Sequence, residues 1–171
     1  MPEQIEWVLE VLGQRHDRTS FDCGEPALNT YLKQFARQHA KKNISKTFVL
    51  LSTASPDKIL GFYTLSTGSI VRDHLSPQDR QKLPNYPIPI ARIGRLAIDN
   101  SVQGKGLGEE LLKNALHRCV NLSKEIGLYG VVVDAKHEKS KAFYLKFGFC
   151  ELIKQPMTLY LPISTIIAVM T

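Results

Sequence analysis

Cysteine is scarce. Cys23, Cys119 and Cys150 are an odd set, widely spaced, with no CxxC pair. That argues against a disulfide framework or a zinc site. His16, His39, His74, His117 and His137 lack the spacing of metal ligands, so no metal is expected. No apolar run approaches the roughly 20 residues that span a bilayer, and no membrane partner is expected. The opening MPEQIEWVLEVL lacks the basic flank and small-residue cleavage site of a signal peptide. A cytoplasmic location is the resulting expectation. Internal repeats, low-complexity tracts and linkers are also missing. A chain of 171 residues holds one core and is short for two, so one domain over residues 1–171 is expected.

What is present is an ordinary globular composition, 43% apolar and 22% charged, with a formal net charge of +6. A surplus of that sign favours anionic partners. Its distribution says more. KQFARQHAKKNISK (33–46) holds Lys33, Arg37, Lys41, Lys42 and Lys46 with no acid among them. A solvated helix face carries this pattern, and so does a surface that touches phosphates.

The periodicity predicts a strand or short helix over 5–12, then a helix over 22–43. Glu25 and Pro26 suit its first turn, and Ala27, Leu28, Tyr31, Leu32, Phe35 and Ala36 recur at helical spacing. Residues 46–53 and 58–71 read as strands of a hairpin, with Ser55-Pro56-Asp57 as its turn. A short helix over 76–83 is capped by Ser76, with Pro77 in its first turn. The proline-rich 84–89 reads as extended or irregular, and 90–99 as a strand. Residues 106–126 form the strongest helix, with an apolar stripe of Leu107, Leu111, Leu112, Ala115, Cys119, Leu122 and Ile126 and a stop at Gly127. Cys119 reads as core filler there. A buried strand over 129–135, a short helix over 138–148 and two further strands complete the chain. The fold class is therefore α/β (α+β), with a mixed sheet in a single domain.

One loop stands out. Gln103-Gly104-Lys105-Gly106-Leu107-Gly108 lies between the strand RLAID and the long helix. It is neither the GxxxxGK[ST] of a P-loop nor the GxGxxG of a dinucleotide fold. Unpaired N–H groups at a helix N-terminus, aided by the helix dipole, attract anions. Glycines permit the turn and let a pyrophosphate approach the backbone. Lys105 adds charge at the rim.

RLAIDNSVQGKGLGEELL (95–112) resembles motif A of the GNAT acyltransferase superfamily, with Gln103, Gly106 and Gly108 on its Q/R-x-x-G-x-G/A positions. DAKHEKSKAFYLKFGF (134–149) resembles the family's second signature. The resemblance implies a GNAT fold, a mixed central sheet flanked by helices with strands splayed at the acetyl-CoA site. It implies that Gln103, Gly104, Lys105, Gly106, Leu107 and Gly108 hold the pyrophosphate. It also implies that the backbone of Leu96, Ala97 and Ile98 faces the pantetheine arm and thioester, with His137 and Phe143 beside the cofactor. Many family members carry Asn at the position of His137 and Ala at that of Ser140.

FDCGEPALNTYL, GFYTLSTGSI and GRLAID…QGKGLG further resemble the GNAT-type toxins of toxin–antitoxin modules, the TacT and AtaT group. That group acetylates the amino group of aminoacyl-tRNA and stops translation. A ribbon-helix-helix antitoxin neutralises it, and DNA is touched only through the repressor complex with that antitoxin. A homodimer is implied as well. Lys33, Arg37, Lys41, Arg92 and Arg95 are then the expected tRNA contacts.

Acetyl transfer from a thioester requires a neutral attacking amine, donors for the thioester oxygen and a proton for the leaving thiolate. Tyr144 is the candidate donor, since the matching family tyrosine lies by the CoA sulfur. Asp99 and Asp134 end strands, and no base is evident. Two other readings remain open: a GNAT enzyme acting on a small amine or a protein N-terminus, and a non-catalytic CoA-binding regulator.

Overall fold

The computed structural model describes residues 5–170. The first four residues, on which the leader reading partly rests, lie outside them. Seven strands form one sheet in the order β1-β2-β3-β4-β5-β7-β6. They are β1 (Trp7–Val11), β2 (Lys46–Ser52), β3 (Ser55–Ile70), β4 (Ile88–Ile98), β5 (Gly130–Asp134), β6 (Cys150–Leu152) and β7 (Gln155–Pro162). The helices are α1 (Pro26–Thr30), α2 (Ala36–Lys41), α3 (Pro77–Arg80), α4 (Leu107–Ser123), α5 (Glu138–Lys146) and α6 (Ile163–Met170). No described helix is long and apolar enough to cross a membrane.

The chain divides into two compact units, Met1–Ser66 with Arg95–Ala115, and Thr67–Gly94 with Leu116–Thr171. In the first, β1, β2 and β3 pair antiparallel. Phe21, Leu28, Tyr31, Leu32, Ala36, Val49, Leu51, Ile59, Phe62 and Ala97 form its core. Burial of such side chains is the main driving term for folding. In the second, β4 pairs parallel with β5 over Ile90–Ile93 and Gly130–Val133. Antiparallel β7 lies against both β5 and β6. Val131, Val132 and Val133 are fully buried, as a continuous apolar run in a central strand requires.

Three local expectations are corrected. The hairpin turn is Thr53-Ala54, because Ser52 pairs with Ser55; Ser55-Pro56-Asp57 lies inside β3. The helix expected over 22–43 begins at Pro26, and a π-helical turn, Tyr31–Phe35, separates α1 from α2. The wider π turn breaks the helical phase, so Phe35 is 42% exposed although its spacing predicts burial. The strongest helix ends at Ser123 rather than 126. There Lys124 and Glu125 donate three residues back, to Asn121 and Leu122, which tightens the end and leaves Ile126 exposed. One element, α6, has no counterpart in the sequence reading, whose last strand is MTLYLPI (157–163). ISTIIAVM is rich in β-branched residues, which disfavour helix, yet it is helical, with Ile163 and Ile166 buried one turn apart.

Candidate active site

In the first unit the site is built at the end of β4. Asp99 leaves the strand and caps a 3-10 turn, Asn100–Val102, by accepting the Ser101 N–H. It also accepts the Asp22 N–H at 2.9 Å and the Ser101 hydroxyl. Burial pushes its carboxyl up, but these hydrogen bonds outweigh that and hold it below the ordinary carboxylate range. Asp99 is thus a committed structural acid and not a free base.

The Gln103 side-chain amide donates to the carbonyls of Cys23 at 3.1 Å and Ile98 at 3.0 Å, and to Asn100 Oδ1 at 3.1 Å. Asn100 N donates to Asp22 O at 2.8 Å. The segment before α1 and the end of β4 are so tied together at the loop entrance. The Gln103 Nε2 group is engaged in this tie.

Gly104 and Gly106 follow with φ of +78° and +80°, a region costly to residues with a Cβ. A Cβ at either would meet nothing within 4 Å, so the backbone here is bare. α4 starts at Leu107, which is buried, and the first backbone bond into the helix is Glu110 N to Gly106 O at 3.3 Å. The N–H groups of Leu107 and Gly108 therefore face out at the positive end of the helix dipole. Lys105 is exposed beside them. An open cradle of glycines at a helix N-terminus fits a pyrophosphate.

Leu96, Ala97 and Ile98 are the last residues of β4, with Ala97 buried. Beside β5, β4 is paired over Ile90–Ile93, and the strand runs on to Ile98. Sequence reasoning missed Gly61 on β3. A Cβ there would lie 2.8 Å from Ile98 Cδ1 and 2.9 Å from Ala97 O, so only glycine lets β4 settle at this depth. The GFY of 61–63 carried that signal, visible once its neighbour was known.

This unit also carries the basic residues expected to contact tRNA. Lys33 and Lys41 are exposed and Arg37 half-buried; none makes an ion pair among the described residues. Arg95 Cζ lies 3.4 Å from the centroid of the Tyr31 ring, a cation–π contact. The Tyr31 hydroxyl and His39 Nδ1 are 3.0 Å apart.

In the second unit, His137 caps α5. Its Nδ1 accepts the Ser140 N–H at 3.2 Å, and Ser140 Oγ accepts the His137 N–H at 3.2 Å. This capping box explains both His137 and Ser140, where the family pattern has Asn and Ala. Phe143 is half-buried and packs edge-on against Tyr144 and Phe147. Tyr144 is 6% exposed. Its hydroxyl has no hydrogen-bond partner among the described residues. Burial, then the nearby Asp134 charge, pushes its pKa up to about 12. At neutral pH it is a protonated donor with its proton unspent. Arg92 is ion-paired with Asp134, and Thr158 Oγ1 donates to the same carboxylate at 3.1 Å. Asp134 is thus committed too, and Arg92 arrives already neutralised. No group of residues that could hold a metal ion occurs among the described residues.

Comparison with known proteins gives the family. Residues 19–158 match the model of an acetyltransferase (GNAT) domain. A tRNA-acetylating toxin of Mycobacterium tuberculosis is 38% identical over 133 residues, 78% of this chain and 78% of that protein. The crystal structure of a tyrosine-to-phenylalanine mutant of KacT matches with a TM-score of 0.91 and 37% identity, covering 96% of this chain and 99% of that one. AtaT complexed with acetyl-methionyl-tRNAfMet matches with a TM-score of 0.91 and 32% identity, covering 97% and 100%. Similar too are a tyrosine-to-phenylalanine mutant of AtaT bound to the C-terminus of the antitoxin AtaR and acetyl-CoA, at 29% identity, and a KacTA–DNA complex, at 34%.

Proposed function

The chain belongs to the GNAT acetyltransferase family, and on that premise we propose that it is a toxin that acetylates the α-amino group of aminoacyl-tRNA from acetyl-CoA. The observation that carries the tRNA reading is the set of cations Lys33, Arg37 and Lys41, none of them ion-paired among the described residues, with the Arg95 guanidinium on Tyr31. Polyamines and aminoglycosides are cationic and would be repelled there, whereas a polyanion is drawn in.

Acetyl-CoA supplies an acetyl group activated as a thioester. The N–H groups of Gly104 to Gly108 and the α4 dipole bind its pyrophosphate, with Lys105 at the rim. The main chain of Leu96, Ala97 and Ile98, through the N–H groups of Leu96 and Ile98 on the edge away from β3, orients the pantetheine arm and stabilises charge on the thioester oxygen. Tyr144 gives its hydroxyl proton to the departing sulfur as the new C–N bond forms and the C–S bond breaks. Phe143 and His137 keep α5, and hence Tyr144, in place. With Asp99 and Asp134 both committed, the proton lost by the acceptor nitrogen goes to water. An aminoacyl ester amine is less basic than a lysine and needs no dedicated base.

A ribbon-helix-helix antitoxin neutralises the enzyme, and that complex, rather than the toxin alone, contacts DNA. The active form is a homodimer built from one GNAT domain per chain. The second reading is a GNAT enzyme for a small amine or protein N-terminus.

The test is CoA release on adding acetyl-CoA with bulk aminoacyl-tRNA, against deacylated tRNA and a panel of small amines. Release with charged tRNA alone supports the toxin reading, and release with the amines alone removes it. Expression in bacteria should stop growth, with translation failing before transcription; normal growth with active enzyme favours the small-amine reading.

A further inference from the structure

Phe35 is a cost that the fold has not removed. Leu28, Tyr31, Leu32 and Ala36 are all buried, while the Phe35 ring is 42% exposed. The π turn ends at this residue, whose φ of −116° departs from the helix, and π turns concentrate at functional sites. The ring does not stand alone. It stacks on Tyr31 with centroids 6.4 Å apart and planes 26° from parallel, and lies 6.1 Å from the His39 ring. Tyr31 in turn carries the Arg95 guanidinium and is held by His39. The result is a row of flat groups, with Phe35 exposed and the Arg95 guanidinium on Tyr31, while Lys33 and Arg37 lie two residues to either side in the chain.

We propose that Phe35 is a stacking site for an unpaired nucleobase at the 3′ end of the tRNA. The argument is one of complementarity. An apolar protein partner would cover the ring but has no use for the guanidinium held in the same row. A single strand of RNA offers a π-face to the ring and phosphates to the cations, and bases of single strands stack on aromatic rings and guanidinium planes. A duplex cannot offer that face, so the occupant is an unpaired end. The inference deepens the tRNA reading above and rests on it.

The test is a binding cycle that does not depend on acetyl transfer. Wild type and Phe35→Ala, Phe35→Leu and Phe35→Trp are each titrated with deacylated tRNA, intact and shortened by its unpaired 3′ nucleotides. A base–aromatic stack of about 1–3 kcal/mol corresponds to roughly 5- to 150-fold in affinity. Ala and Leu should each lose that factor on intact tRNA, and Trp should keep it. On shortened tRNA all four proteins should bind alike, and on either tRNA the four should share one salt slope, because changing Phe35 touches no phosphate contact. Acetyl-CoA affinity serves as the check that each variant is folded.

Several results would overturn the proposal: equal binding of intact tRNA by wild type and Ala, a Leu variant as good as wild type, or an Ala defect that persists on shortened tRNA. If the Ala variant instead loses only its antitoxin, Phe35 is an antitoxin contact and the proposal is wrong. Were intact tRNA bound as expected but never acetylated when charged, the toxin reading would fall while the stacking site stood.

Discussion

The glycine loop of residues 103–108 and the basic face around Lys33 and Arg95 are both suited to anions, and they are made of different material. The loop presents backbone. Its glycines at positive φ have open space where a side chain would be, and its donors follow one another in the chain. The face presents side chains. Tyr31, Phe35 and His39 come from one segment and Arg95 from another some sixty residues on. A site made of consecutive backbone can be recognised as a string. One made of side chains from distant segments exists only once the chain has folded. Each should also fail differently: the loop through any added atom, the face through lost charge or lost stacking.

The largest effect is expected at Tyr144. Replacing it with Phe removes one hydroxyl and leaves the ring contacts with Phe143 and Phe149. General-acid catalysis contributes about 10²- to 10⁴-fold, so kcat should fall by that factor with acetyl-CoA affinity unchanged. Full turnover at neutral pH would remove Tyr144 from the mechanism.

Next comes Gly108→Glu, which puts a side chain and a negative charge at the first turn of α4. Calorimetry should find acetyl-CoA binding lost in a folded protein. Unchanged affinity would mean that the loop is not the cofactor site, and the contrast drawn above would lose one of its sides.

The triple change Lys33→Ala, Arg37→Ala and Lys41→Ala probes the other side. Each lost phosphate contact should flatten the salt slope of tRNA binding by about one unit. Acetyl-CoA affinity should hold. An unchanged kcat/KM at several salt concentrations would leave these lysines and the arginine merely solvated, or facing an acidic antitoxin segment.

Two glycines sharpen the comparison with smaller effects. Gly61→Ala drives a Cβ into Ile98 and Ala97 O, so it should cost about 1–3 kcal/mol of stability through overpacking. Gly106→Ala meets open space and should cost about 1–2 kcal/mol from its positive φ alone, with a separate loss of acetyl-CoA affinity. Thermal unfolding with and without acetyl-CoA tells the two apart.

The smallest effect is one of pH. The Tyr144 hydroxyl, near pKa 12 when folded, ionises near 10 when unfolded. Above pH 10 the unfolded chain binds fewer protons, so stability should fall as pH rises from about 10 to 12, by on the order of 2 kcal/mol for this group. The loss should be smaller in Tyr144→Phe when denaturant unfolding is compared across that range.

Much of the molecule is legible in the sequence. Periodicity identifies α4, α5 and every strand but β1, which it leaves as a strand or a short helix, because each element buries one face or is buried whole. The chain fails as a text where local preference and tertiary context disagree. ISTIIAVM has strand-forming residues and a helical fate, since burying Ile163 and Ile166 requires the helical spacing. Thr53-Ala54 makes the turn in place of Ser55-Pro56-Asp57 because strand register, not turn propensity, sets where β2 ends. His137 and Ser140 depart from the family pattern and yet form a reciprocal cap, which only the placed side chains reveal.

The sequence by itself determined most of the elements, the family and the glycine loop proposed to hold phosphate, for one physical reason: glycine torsions and apolar spacing are properties of neighbouring residues. Only the tertiary structure decided which acids are free and which rings are bare. Asp99 is saturated by Asp22 and Ser101, Asp134 by Arg92 and Thr158, and the Gln103 Nε2 group is engaged with the Cys23 and Ile98 carbonyls. Tyr144 keeps its proton because burial raises the energy of its anion. Phe35 is left in solvent by a single π turn. Those outcomes depend on partners far away in the chain, and no local pattern records them.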